Sequence, residues 1–169
     1  MAYRFLVALD TEGGCEYILD HLAEALGTCI KPRITLFTVL PPLPNDLNRR
    51  GWFGDDEELE KAEARREEWH DQAIGAAYER LEAARDHLAR RGLASGAIET
   101  KVGESPEEEH VAGIADEICR EATGGRYGTL VVGRGTRSMI TAWVVGQVTE
   151  RLVRKPFGVS LWAIERPTT

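Results

Sequence analysis

Cysteine is scarce in this chain, with three in 169 residues: Cys15, Cys29 and Cys119. An odd, irregularly spaced set without a CxxC pair excludes a disulfide framework and points to a reducing, cytoplasmic setting. The cysteines read as packing residues rather than redox centres. Apolar runs are short, and none approaches the roughly 20 residues that cross a bilayer as a helix. The first ten residues lack the apolar stretch of a secretory signal. Positive charge is in deficit, 21 Lys+Arg against 28 Asp+Glu, a formal net charge of -7. A chain of that balance is repelled by nucleic acid and anionic lipid, which disfavours a general polyanion binder. The few serines (Ser95, Ser105, Ser138, Ser160) include none in a GxSxG elbow, so no nucleophilic motif is present. The histidines His21, His70, His87 and His110 have no paired spacing and do not suggest a metal site. Glu107, Glu108 and Glu109 beside His110 fall at a helix start, where the macrodipole accounts for them.

What is present is ordinary globular material, 43% hydrophobic and 29% charged. A chain of this length is expected to form one domain, 1–169, and to bury a core without disulfides or a structural metal. Phe5 to Leu9 is a short apolar run closed by Asp10, a strand buried on both faces. Ile18, Leu22, Ala25 and Leu26 follow at helical spacing, with Gly27 as a stop. Ile34 to Leu40 is a second strand, ended by Pro41-Pro42-Leu43-Pro44. Residues 41–54 read as a surface loop, with Trp52 and Phe53 as either a flap or a partner contact. A long helix is predicted from Asp55 to Arg91. Its first half carries mixed charge suited to a solvated face. Its second half carries an inward stripe of Ile74, Ala77, Leu81, Ala84 and Leu88. Gly92 stops it.

Ala97 to Val102 is a third strand. Ser105, Pro106 and Glu108 form a helix start with a capping box. The helix that follows turns Val111, Ile114, Ala115, Ile118 and Ala122 inward and ends at Gly124-Gly125. Thr129 to Val132 is a fourth strand. A segment from Ser138 to Lys155 closes in a helix with Val145, Val148 and Leu152 on one side, and Val159 to Ile164 is a last strand. Strands alternating with helices imply parallel pairing by right-handed crossovers. The fold class is therefore α/β: a single-domain, Rossmann-like open parallel sheet of about five strands, covered by helices on both faces.

In such sheets ligands bind beyond the carboxyl ends of the strands, at the switch in strand order. Three segments qualify: Leu9-Asp10-Thr11, Val39-Leu40-Pro41 and Gly133-Arg134-Gly135. Glycines after a strand let backbone N–H groups approach a phosphate. Gly146-Gln147-Val148-Thr149 opens a helix, whose N-terminus also suits phosphate. Arg134 and Arg137 stand between these elements as charged donors.

Gly133 and Gly146 lie 13 positions apart, within Val131-Val132-Gly133-Arg134-Gly135-Thr136-Arg137-Ser138 and Val145-Gly146-Gln147-Val148-Thr149. This pattern resembles the universal stress protein family, whose hallmark is Gly, two residues, Gly, nine residues, then Gly followed by Ser or Thr. The likeness runs through nearly the whole chain, from Val7-Ala8-Leu9-Asp10 to the closing strand. It implies an adenine nucleotide α-hydrolase-like fold and a nucleotide-responsive regulator of stress tolerance that binds ATP, with Mg2+. By resemblance Asp10 sits by the ribose and phosphates, while Ala8, Leu9 and Val39 line the adenine side. Gly133, Gly146, Gln147, Val148 and Thr149 cradle the phosphates. It also implies a homodimer, formed through the apolar edge of Val159 to Ile164. Trp143 and Trp162 lie near the candidate site and the last strand, and a dimer interface is one use for them.

Two positions depart from the hallmark. Thr136 stands where the second glycine belongs, with Gly135 one place early, and a β-branched residue disfavours φ > 0. Gln147 replaces the hydroxyl residue after Gly146. A second reading is therefore a dimeric interaction module of the same family that has lost its nucleotide. In it Asp10 is a turn residue, Gly133 and Gly146 serve packing, and Arg134 and Arg137 are solvated. A third reading is an enzyme on the same scaffold, which would need a paired acid and base at the strand ends. The sequence shows no such pair; slow ATP hydrolysis is left open, with Asp10 the only evident base. Charge is unevenly spread: residues 1–123 carry 14 basic and 26 acidic residues, and residues 124–169 carry 7 and 2. The C-terminal quarter favours a local anion.

Overall fold

The computed structural model describes residues 3–10, 15–27, 31–44, 47, 56–105, 110–134, 149–150, 152–154 and 158–166. The bounded elements among the described residues are, in order, β1 (Arg4–Ala8), α1 (Glu16–Leu26), β2 (Arg33–Leu40), α2 (Asp56–Arg90), β3 (Ile98–Glu104), α3 (His110–Gly124), β4 (Thr129–Arg134) and β5 (Ser160–Glu165). A single 3-10 turn, Ser95–Ala97, leads into β3, and residues 149–150 and 152–154 are helical. The strands form one sheet in the order β3-β2-β1-β4-β5, and every pairing is parallel. The α/β open sheet expected from the alternation of patterns is thus observed.

The sheet is buried on both faces because neighbouring strand residues point opposite ways. Phe5, Val7, Ile34, Leu36 and Val131 meet α1 and α2 through Ile18, Leu22, Leu81 and Leu88. Leu6, Phe37, Leu130 and Val132 meet α3 through Ala115, Ile118 and Ala122, together with Leu152. The central strands therefore read as continuous apolar runs instead of alternating ones.

α2 is 35 residues long, about 52 Å at helical rise, and outreaches the sheet beneath it. Ala77, Leu81, Ala84 and Leu88 are buried in its second half, while Ala62 alone is buried in the first. The charged first half is solvated, as expected, with Lys61 bonded to Glu57 one turn earlier. Gly92 ends the helix region at φ +96, a conformation that a side chain would strain.

Several expectations are corrected. Ala25 is exposed and Ala23 is buried in its place, because leucines at 19, 22 and 26 set the axis of the stripe. Ile74 is half-exposed, lying at the point where α2 leaves the sheet. The stop expected at Gly27 is observed, in a right-handed conformation with φ -67; a Cβ there would stand 2.7 Å from the Ala23 carbonyl oxygen. β4 continues through Gly133 to Arg134, paired with Ile164 and Glu165, so these two are ladder residues instead of loop residues. Trp162 packs on Phe5, ring centroids 5.6 Å apart, so it is at least partly a core residue. The capping box at 106–108, the hallmark loop around Thr136, Cys29, Trp143, Val145 and most of 45–54 lie outside the described residues.

Candidate functional site

The chain runs β1-β2-β3 toward one edge and then crosses to β4 and β5 on the other side of β1. That reversal opens a crevice between the carboxyl ends of β1 and β4. Ala8 pairs with Val132 across this junction and with Phe37 on the other side. Leu9 and Asp10 therefore leave the sheet beside Gly133 and Arg134. Leu9 stays anchored to β2: its N–H donates to the Phe37 carbonyl at 2.8 Å, and the Thr38 hydroxyl donates to the Leu9 carbonyl at 2.9 Å. These bonds fix the backbone from which Asp10 projects. One oxygen of its carboxylate, Oδ2, is shielded from solvent.

Gly133 forms the opposite wall. A Cβ built on it would stand 2.4 Å from the Tyr17 hydroxyl and 2.5 Å from Ile18 Cδ1. Glycine is required here by the close approach of α1, whatever else the position does. Thr149 is buried, and its hydroxyl reaches the Gly133 carbonyl at only 3.5 Å, the outer limit of a hydrogen bond. That hydroxyl is weakly held. Val39 is 7% exposed and its side chain belongs to the core on the α3 side. It supports the crevice from behind instead of facing into it. Among the predicted site residues, the structure brings together Ala8, Leu9, Asp10, Gly133 and Thr149, with the backbone of Arg134 beside them. Gly135, Arg137, Gly146, Gln147 and Val148 lie outside the described residues.

Three residues that the sequence pattern does not single out also belong to this region. Tyr17 projects from the first turn of α1 against Gly133, and burial raises its hydroxyl pKa above the ordinary value, with the nearby Cys15 and Asp10 acting in the same direction. The Cys15 thiol is pushed up to about 11, chiefly by burial, so it is neutral and unreactive at physiological pH. Thr38 is a β2 residue and also clamps Leu9 through its hydroxyl. The only sequence signal for Cys15 and Tyr17 is their place in the first turn after β1, where a βα unit brings a helix start to the crevice. Among the described residues no group of three or more His, Cys, Asp or Glu could hold a metal ion, and no helix is long and apolar enough to cross a membrane.

The model of the Universal stress protein family matches residues 1–156. The chain belongs to that family. Similar solved structures include the universal stress protein from Archaeoglobus fulgidus, 18% identical, covering 97% of this chain and 99% of the other with a TM-score of 0.55. The same organism's universal stress protein in complex with dAMP is 17% identical, covers 96% and 97% and has a TM-score of 0.53. A universal stress protein in complex with cAMP is 15% identical, covers 99% and 100% and has a TM-score of 0.55. At these identities the structures establish a shared fold. No curated protein matches the chain.

Proposed function

We propose that this universal stress protein binds an adenine nucleotide in the β1–β4 crevice and works as a nucleotide-responsive regulator of a stress response. The observation that carries the reading is the pairing of walls at the switch point: Asp10 on one side, Gly133 and the loosely held Thr149 hydroxyl on the other. A carboxylate there accepts hydrogen bonds from ribose hydroxyls, and a glycine wall leaves room for phosphate oxygens. Family membership supports it, as do fold relatives solved with dAMP and cAMP. The excess of basic residues in 124–169 supports it electrostatically.

ATP is the nucleotide of this reading. Ala8 and Leu9 line the base side over Val39, while Gly135, Arg137, Gly146, Gln147 and Val148 complete the phosphate cradle with Arg134. Mg2+ would be held chiefly by the phosphates, as this ion commonly is. The protein is a cytoplasmic homodimer in this account. β5 is a sheet edge, and an edge strand is a ready template for a second chain.

Calorimetric titration with ATP and Mg2+ tests the nucleotide. The account expects saturable binding that is lost in Gly146→Val. Heats that do not saturate up to millimolar ATP would contradict it. A second reading, an interaction module without nucleotide, is favoured by one observation: packing against Tyr17 and Ile18 already explains Gly133. Nucleotide co-purifying with the protein, seen by mass spectrometry, would reject that reading. Light scattering after size exclusion tests the dimer, and a monomer at micromolar concentration would contradict it.

A further inference from the structure

A second cavity lies away from the phosphate cradle, between α1 and α2, with a volume of about 300 Å³. It meets the strand-end crevice at Leu9, Asp10, Cys15 and Thr38 and draws the rest of its lining from α1 and α2. Its floor includes Thr38, whose hydroxyl hydrogen is used on the Leu9 carbonyl, so the floor offers apolar surface. Leu19 forms the α1 wall, and Ala77, Leu81 and Ala84 form the α2 wall. The alanines make the room: a larger side chain at either position would close it. Cys15 adds a thiol that burial keeps neutral.

The two ends of the groove differ in charge. At one end Arg80 and two acids, Asp10 and Glu16, share the surroundings of Cys15. At the other, the Asp20 carboxylate accepts bonds from both His87, at 2.7 Å, and Arg91, at 2.6 Å. Asp20 is thereby engaged, and Arg90, which lines the groove with His87, has no carboxylate partner among the described residues. Arg80 and Arg90 are ten positions apart on one helix, about 15 Å. The groove is therefore an apolar slot with a surplus cation at one end only. Its size lies at the lower bound for small-molecule pockets.

We propose that this groove binds a small amphipathic carboxylate, such as a medium-chain fatty acid, with its acid head at Arg90 and its apolar tail between α1 and α2 toward Leu9. The assignment does not rest on the nucleotide reading, although the two sites share Leu9 and Asp10.

Octanoate titrated into the full chain, followed by amide chemical shifts in nuclear magnetic resonance spectra, tests it. Saturable shifts are expected at Leu19, Ala77, Leu81 and Ala84, with little change at Gly133. Ala84→Trp fills the slot and should abolish them. Since that variant risks misfolding, Arg90→Glu supplies a surface change that leaves the core intact. It should weaken octanoate at least tenfold, whereas Arg85→Glu, the same charge change outside the groove, should alter affinity less than twofold. Octan-1-ol should bind more weakly than octanoate. Shifts that do not saturate, shifts confined to the strand-end crevice, equal affinity for the alcohol, or an Arg90→Glu variant that binds like the parent would each overturn the assignment.

Discussion

The two ends of the central strand β1 are built on opposite plans. At its amino end Arg4 lies over the Tyr127 ring, 5.1 Å from the centroid. The Tyr127 hydroxyl donates to Glu121 at 3.0 Å, and Glu121 also takes Lys101 at 2.6 Å. These groups border a hollow of about 410 Å³, and their polar atoms are engaged with one another. At the carboxyl end the Thr149 hydroxyl is held only at 3.5 Å, and Gly133 presents backbone alone to its surroundings. A polar network that closes on itself contributes stability. Polar groups that are positioned by backbone but weakly engaged are available to a ligand. The same strand thus separates a self-paired end from the end proposed to bind nucleotide, and substitutions at the two should have different signatures.

The largest effect should come from the self-paired end. Glu121→Ala leaves the Tyr127 hydroxyl and Lys101 without their shared acceptor. It should cost about 2 kcal/mol in urea unfolding, with nucleotide affinity unchanged; a loss of affinity without a loss of stability would erase the distinction. Gly133→Val sits at the carboxyl end but also touches packing. Its side chain would collide with Tyr17 and Ile18, displacing α1 at a cost of about 1–3 kcal/mol. It should weaken nucleotide binding as well, both readable from melting curves with and without ATP. Asp10→Asn belongs to the end proposed to bind nucleotide. Its stability should change by no more than about 0.5 kcal/mol, while nucleotide affinity falls about tenfold, which corresponds to about 1.4 kcal/mol.

The smallest effect concerns Asp20, away from both ends. Hydrogen bonds from His87 and then Arg91 hold its carboxyl below the ordinary value of 3.8. A depressed folded-state pKa contributes stability that is present above the unfolded value and lost as pH falls through the folded one. The side chain is 40% exposed, so solvent screening keeps this contribution below about 1 kcal/mol. Asp20→Asn should flatten the pH dependence of unfolding below about pH 4 and leave it unchanged at neutral pH.

Much of the fold is legible in the sequence because periodicity reports burial directly. The helix expected over 55–91 is observed as Asp56–Arg90, since charge on one half and the 77-81-84-88 stripe on the other both mark a helix. The apolar runs at Phe5 and Ile34 announced strands covered on both faces. Legibility failed where a residue's role depends on a neighbour brought in by tertiary packing. Alanine carries almost no directional signal, so Ala25 and Ala23 were exchanged. Gly133 looked like a loop glycine, and only the approach of Tyr17 shows that α1 requires it. Asp10 was visible because it ends a strand. Cys15 and Tyr17 were not, because a helix start acquires its surroundings only when the helix docks. The resemblance in the hallmark residues named the family, and the family match over residues 1–156 bears it out.

The central claim is that the carboxyl ends of β1 and β4 form a nucleotide site governed by Asp10. Calorimetric titration of ATP with Mg2+ into the parent chain and into Asp10→Ala, with folding checked by circular dichroism, tests it most directly. The account predicts saturable binding with one site per chain in the parent and at least a tenfold loss in the variant. Equal binding by both, or none by either, would contradict it.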